Sequence, residues 1–165
     1  MSTTFNHVSV SASDLEASVR FYEQVFGLER IPTPNFGYPT CWLRVGNLQL
    51  HLFQRPVEPP AHHHFSLTVR DFETVYRKAE QLGAFDGATA GGHIRELPDG
   101  SVQMYLRDPD GNLVEVDFPD ASRLDRSVIK ELPTLEEQFP QSDENRSATL
   151  FLDARPASGD PPLVG

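Results

Sequence analysis

The chain has 165 residues, a formal net charge of −10 and a single cysteine, Cys41. That length suits one domain or two small modules sharing a core, and no apolar run approaches the ~20 residues of a membrane-spanning helix. The acidic balance argues against nucleic acid or an anionic membrane as partner. A lone cysteine excludes an intrachain disulfide, and MSTTFNHV lacks the basic and apolar regions of a secretory leader, so a cytoplasmic protein is expected.

Residues 5–12, FNHVSVSA, alternate with period two. Val8, Val10 and Ala12 fall on one face and His7, Ser9 and Ser11 on the other, the pattern of a half-buried strand. SDLEASVRFYEQVFG then reads as a helix. Ser13 and Glu16 are spaced as a capping box, Leu15, Val19, Tyr22 and Phe26 form an apolar stripe, and Gly27 marks the stop. Strands are predicted at Leu28–Ile31, Thr40–Val45 and Leu48–Phe53, with Gly46-Asn47 turning between the last two. In the last of these, Gln49, His51 and Phe53 share the face opposite Leu48, Leu50 and Leu52. RPVEPPA follows as a proline-rich connector.

The pattern then begins again. HFSLTVRDFETVYRKAEQLGA repeats HVSVSASDLEASVRFYEQVFGL in type and order, so that His64 matches His7, Ser66 matches Ser9 and Asp71-Phe72-Glu73 matches Asp14-Leu15-Glu16. Asp71 is placed to cap a second helix that ends at Gly83. Strands are predicted at His93–Leu97, Ser101–Arg107 and Asn112–Phe118, joined by Pro-Asp-Gly and Asp-Pro-Asp-Gly turns. Modules of strand-helix-strand-strand-strand are therefore expected at residues 5–55 and 62–118. Residues 119–165 hold scattered prolines, an acidic tract and one apolar run, Ala148–Leu152, and read as an extended tail with a disordered end.

If the two modules present one curved surface, their matching positions converge. The first strands supply His7 and His64, and the last strands supply His51 and Glu115, the lone charge among Leu113, Val114 and Val116. Three imidazoles and a carboxylate suit a first-row divalent cation with water in the remaining positions. A histidine on a strand is ordinarily a surface or hydrogen-bonded residue. His7 differs because His64 recurs at the same point of the repeat and Glu115 lies on the matching face. His51 reads as a ligand, a substrate contact or a base. His62 and His63 read as exposed or, less economically, as a metal-binding run, His93 as a loop residue, and Arg95 and Arg107 as solvated cations or as groups that hold an anionic substrate. Tyr105, on one face with Gln103 and Arg107, is a core-edge aromatic or a catalytic group. Trp42, Phe36 and Phe53 are pocket walls or core, and Cys41 is a buried strand residue.

The doubled module, the His-x-Ser start of each half and the ending DPDGNLVE resemble the vicinal oxygen chelate superfamily of glyoxalase I, bleomycin-resistance proteins and extradiol dioxygenases. The resemblance covers roughly residues 5–118. It implies an α+β fold, two paired βαβββ modules forming a cupped, incomplete eight-stranded barrel, here with a C-terminal extension. It places His7, His64 and Glu115 on metal-ligand positions and His51 on the fourth, which glyoxalase I fills with glutamate. The implied cofactor is Fe, Ni, Zn, Mn or Co; no motif recognises glutathione or another thiol. The implied partners are a small-molecule substrate and a second copy of the chain, with the metal site closed within one chain or across a swapped dimer.

Four functions follow from the resemblance. The first is glyoxalase-type lyase or isomerase chemistry, in which Glu115 leaves the metal and moves the α-proton. The second is an extradiol-type dioxygenase on Fe(II), for which MYLRDPDGNLVE supplies half of the signature and Tyr105 its tyrosine. The third, a fosfomycin-resistance-like thiol transferase, would need a lysine before the tyrosine, where this chain has PDGSVQ. The fourth is a metal-free protein that sequesters a drug, against which His7, His64 and Glu115 count.

Overall fold

The structure, a computed structural model, describes residues 5–55, 58–88 and 91–152. Its described residues divide into two compact units, one holding residues up to Phe65 together with Arg107–Leu113, the other holding Ser66–Leu106 and residues 114–152. The predicted order of elements occurs twice, and each copy builds one four-stranded sheet.

The first copy runs β1 (His7–Ala12), α1 (Leu15–Phe26), β2 (Glu29–Ile31), β3 (Thr40–Val45) and β4 (Leu48–Gln54). Its sheet has the order β1-β4-β3-β2, with β4 parallel to β1 and antiparallel to β3. The period-two pattern sends Cys41, Leu43, Leu50 and Leu52 to the buried face, where α1 packs on β3 and β4. His51 faces the other way, paired with Ser9 on one side and Trp42 on the other. The helix buries Val19, Phe21, Tyr22 and Val25, whereas the predicted Leu15 and Phe26 are only half-buried.

The start of α1 departs from the predicted capping box. Asp14 is the cap and accepts from the Ala17 amide at 3.0 Å, while Ser13 gives both its amide (2.6 Å) and its hydroxyl to Asp110. Glu16 is drawn away by Arg30, whose guanidinium meets it at 2.9 and 3.1 Å. An ionised carboxylate is a stronger acceptor than a serine hydroxyl, and near a helix N-terminus it also meets the positive end of the dipole. Ser18 adds its hydroxyl to Asp110 at 2.5 Å. The neighbouring Asp108 accepts from the buried Tyr22 hydroxyl at 2.9 Å, from the Asp110 and Asn112 amides, and from the Asn112 side chain at 2.8 Å. Gly111 completes the turn at φ 83°, where a Cβ would stand 3.2 Å from Pro59 Cγ.

The second copy runs β5 (His64–Thr68), α2 (Phe72–Leu82), β6 (Ile94–Glu96), β7 (Val102–Arg107) and β8 (Leu113–Phe118), with sheet order β5-β8-β7-β6. Asp71 caps α2 through the Thr74 amide at 2.9 Å, and Gly83 ends it at φ 62°, as predicted. Every residue of β8 is buried.

The segment expected to be an extended tail instead folds onto the second unit through residue 152. It forms a 3-10 turn (Ala121–Arg123) and two short helices, α3 (Leu135–Gln138) and α4 (Asp143–Arg146), and buries Leu124 and Ile129. Backbone bonds anchor it: the Ala121 amide to the Gly100 carbonyl at 2.8 Å, and the Glu96 amide to the Pro133 carbonyl at 2.9 Å. Asp99 accepts from the Thr149 hydroxyl (3.0 Å) and the Leu150 amide (3.2 Å). The expected disordered end falls on residues 153–165, outside the described residues. No helix among the described residues is long and apolar enough to cross a membrane.

Replacing Asp110 by alanine strands three donors and is expected to lower unfolding free energy by about 1–3 kcal/mol in urea titrations. Burial pushes the Asp110 carboxyl up, but the bonds from Ser13 and Ser18 outweigh it and hold it below its ordinary value. Its contribution is therefore present above the unfolded pKa of about 3.9 and is lost as pH falls through the lower folded value. The gap between wild type and Asp110→Ala should stay constant from neutral pH to about pH 5 and narrow in stronger acid. In the second unit, Asp99→Ala should speed hydrogen exchange at the Leu150 amide and leave the β8 amides unchanged.

Candidate functional site

His7 stands at the start of β1 and is exposed on the open face of the first sheet. Its Nδ1 lies 2.8 Å from Asn6 Oδ1. His64, at the matching start of β5, directs Nδ1 to the His62 carbonyl at 2.9 Å. An oxygen acceptor at Nδ1 fixes the proton there and makes Nε2 the side that carries the lone pair, the preparation usual for a metal-binding imidazole.

His51 is prepared differently. Its Nε2 meets Gln49 Oε1 at 2.8 Å, and its ring lies between two others. Trp42 stacks on one face at 4.2 Å and 6°, and His7 on the other at 4.3 Å and 17°. Burial, with the neighbouring His7, holds the His51 imidazole below its ordinary pKa, so the neutral ring dominates at pH 7. An open cleft of about 450 Å³ adjoins this stack, lined by Phe36, Phe53, Asn6, Ser9 and Gln49 as well as the three rings.

In the second unit Glu115 is 4 % exposed, and Gln103 Nε2 donates to its Oε1 at 2.9 Å. The buried Tyr105 stands beside it. Burial, and next the hydrogen bond to Glu115, push the Tyr105 phenol well above its ordinary pKa, which keeps it a donor at neutral pH. Asp117, two residues along the same face, is equally buried. Burial raises its carboxyl, the Glu115 charge adds to the rise, and the Ser66 hydroxyl opposes it.

Arg95 and Arg107 are not the solvated cations expected. Arg95 is buried, with its guanidinium 6.0 Å from the centre of the Tyr105 ring. Arg107 spends its donors on the Gly111 carbonyl at 2.8 Å and the Ala61 carbonyl at 2.9 Å. His62 and His63 are exposed, and His93 stacks on Phe85 at 4.3 Å. Cys41 is buried, and burial raises its thiol, which leaves it a weak nucleophile.

Three polar residues have no role assigned from the sequence: Asn6, and Gln49 and Gln103, which the period-two pattern puts on the faces of His51 and Tyr105. Each lies one or two positions from a candidate ligand or catalytic group, and the i, i+2 spacing of Gln49 and His51, and of Gln103 and Tyr105, was the available signal. Among the described residues no three His, Cys, Asp or Glu side chains stand together as a metal-binding group. Taken singly, the donor types in each unit are ones that first-row divalent cations accept: imidazoles with Nδ1 anchored in the first, and a buried carboxylate oriented by an amide in the second.

Comparison with known proteins places the chain in a family. Residues 4–116 match the model of the Glyoxalase/Bleomycin resistance protein/Dioxygenase superfamily. The chain is 28% identical to Glyoxylase I 4 of Arabidopsis thaliana over 129 residues, covering 69% of this chain and 70% of that protein. It is 30% identical to the metallothiol transferase FosB of Lysinibacillus sphaericus over 117 residues, covering 68% and 79%. The solved lactoylglutathione lyase of Agrobacterium tumefaciens superposes with a TM-score of 0.54 at 26% identity, covering 70% and 93%. With a family model matched across both repeats and both sheets, this chain belongs to the Glyoxalase/Bleomycin resistance protein/Dioxygenase superfamily.

Proposed function

We propose that the protein is a divalent-metal-dependent enzyme acting on a small oxygen-rich molecule by glyoxalase-type lyase or isomerase chemistry. The observation that carries this reading is the matched preparation of His7 and His64, each with Nδ1 held by an oxygen. The likeness to a glyoxylase and a lactoylglutathione lyase supports the reaction class. His7, His64 and Glu115 would hold the cation, which supplies Lewis acidity toward vicinal substrate oxygens when bound. Glu115 is also the carboxylate suited to move an α-proton, steadied by Gln103 and by the protonated Tyr105. The enzyme is further proposed to work as a cytoplasmic homodimer.

One observation favours a second reading. Nε2 of His51 is engaged by Gln49 and so would not add a third imidazole to His7, His64 and Glu115, and two histidines with one carboxylate are also the donor set of non-haem Fe(II) oxygenases.

Elemental analysis of protein purified without chelator is expected to find near-stoichiometric divalent metal, lost in His64→Ala and in Glu115→Gln. Asn6→Ala should weaken metal affinity by about 10–100-fold while preserving the fold, because it frees the His7 ring rather than removing it. Turnover of thiohemiacetals without oxygen uptake supports the lyase reading. Iron, with oxygen uptake on catechols, would replace it by the dioxygenase. Wild-type protein that neither carries nor gains a metal refutes both.

A further inference from the structure

The open face of the first sheet bears more aromatic surface than a metal centre requires. Trp42, His51 and His7 come from β3, β4 and β1, which are adjacent strands, and their rings form one continuous stack. Both faces of His51 are thereby covered, so it offers the cleft only its edge. Phe36 leans on Trp42 with ring centres 5.9 Å apart and meets Phe53 edge-on at 6.4 Å. Tyr38 backs Phe53 at 5.9 Å, and its own ring lies under the Arg55 guanidinium at 4.4 Å. The walls of the cleft are thus fixed from behind.

Phe36 itself is 43 % exposed at the cleft, although burying an apolar ring is favourable. The rest of the lining is two amides and one hydroxyl: Asn6, Gln49 and Ser9. Among the described residues no lysine, arginine, aspartate or glutamate lines it. A mostly apolar hollow of several hundred Å³ with a few convergent polar groups is the usual form of a small-molecule site. Its lining also limits the ligand. A flexible aliphatic chain gains only general apolar burial against such walls. A flat ring, in contrast, gains offset or edge-on contact with Phe36, Trp42 and Phe53, and oxygens on its rim find amide and hydroxyl partners.

We infer that this cleft binds a planar aromatic molecule carrying hydroxyl or carbonyl oxygens, with its ring against Phe36 and its oxygens toward Asn6, Ser9 and Gln49. As a statement of substrate class it rests on the metal-enzyme reading. As a binding site it belongs to the first unit and stands without a metal.

The test is calorimetry on the full-length protein, as purified and again after chelator treatment, with 2-naphthol and its saturated analogue decahydro-2-naphthol as probes. Trp42, the chain's only tryptophan, reports occupancy of the cleft through its fluorescence. The ring is expected to bind about five- to tenfold more tightly than the saturated analogue, in both preparations, and to change the Trp42 emission. Phe36→Ala, which alters an exposed residue and is checked for fold by circular dichroism, should reduce 2-naphthol affinity by a similar factor and leave metal content unchanged. Equal binding of the two probes, or a Phe36→Ala variant that binds as wild type does, overturns the inference. Loss of the metal reading with ring binding intact would refute the enzyme and leave this site. Metal retained without ring preference would do the reverse.

Discussion

A carboxylate taken out of water must find donors, and the Asp-Pro-Asp-Gly turn does so twice within five residues. Asp108 gathers a tyrosine hydroxyl, an asparagine amide and two backbone amides; Asp110 gathers an amide and two hydroxyls at the head of α1. These bonds link segments almost a hundred residues apart in sequence, and they belong to one compact unit. They set where α1 begins, and α1 in turn supplies the apolar surface on which β3 and β4 lie. The open face of that sheet, with its histidines, lies opposite this packing. The turn also tolerates little change: burial raises the Asp108 carboxyl even against its four donors, so losing one would leave that group still poorer.

The two sheets prepare their polar faces by different means. In the first, rings do the work: His51 is immobilised between Trp42 and His7 and is kept neutral by burial. In the second, carboxylates are buried side by side on β8 and steadied by amide, phenol and serine hydroxyl groups from neighbouring strands. Both arrangements restrict rotamers before any ligand arrives, and a site whose groups need no reordering loses less affinity on binding.

Much of this was legible in the sequence because period and repetition are local signals. His7 and His64 stand at matching places of a duplicated pattern, at the starts of β1 and β5, and both helices end at the glycines that the pattern marks, Gly27 and Gly83. The failures share a physical cause. Ser13 and Glu16 have the spacing of a capping box, yet partners distant in sequence, Asp110 and Arg30, compete successfully for them. Arg95 and Arg107 look solvated in a charged chain, but one is buried beside Tyr105 and the other is bonded to backbone carbonyls. The tail has little periodicity, and its docking depends on scattered groups such as Asp99 that local pattern cannot reveal.

That docking has a bearing on solubility. A short strand at the margin of a sheet ordinarily exposes a row of amides and carbonyls able to recruit another chain. β6 is such a strand, and here the Glu96 amide is taken by Pro133 while Thr134 continues the ladder beside Glu96. Pro133 contributes a carbonyl but has no N–H of its own to offer beyond it. The added layer therefore ends hydrogen bonding at this margin, and growth of the sheet into a strand-swapped or fibrillar assembly would first have to peel residues 133–134 away.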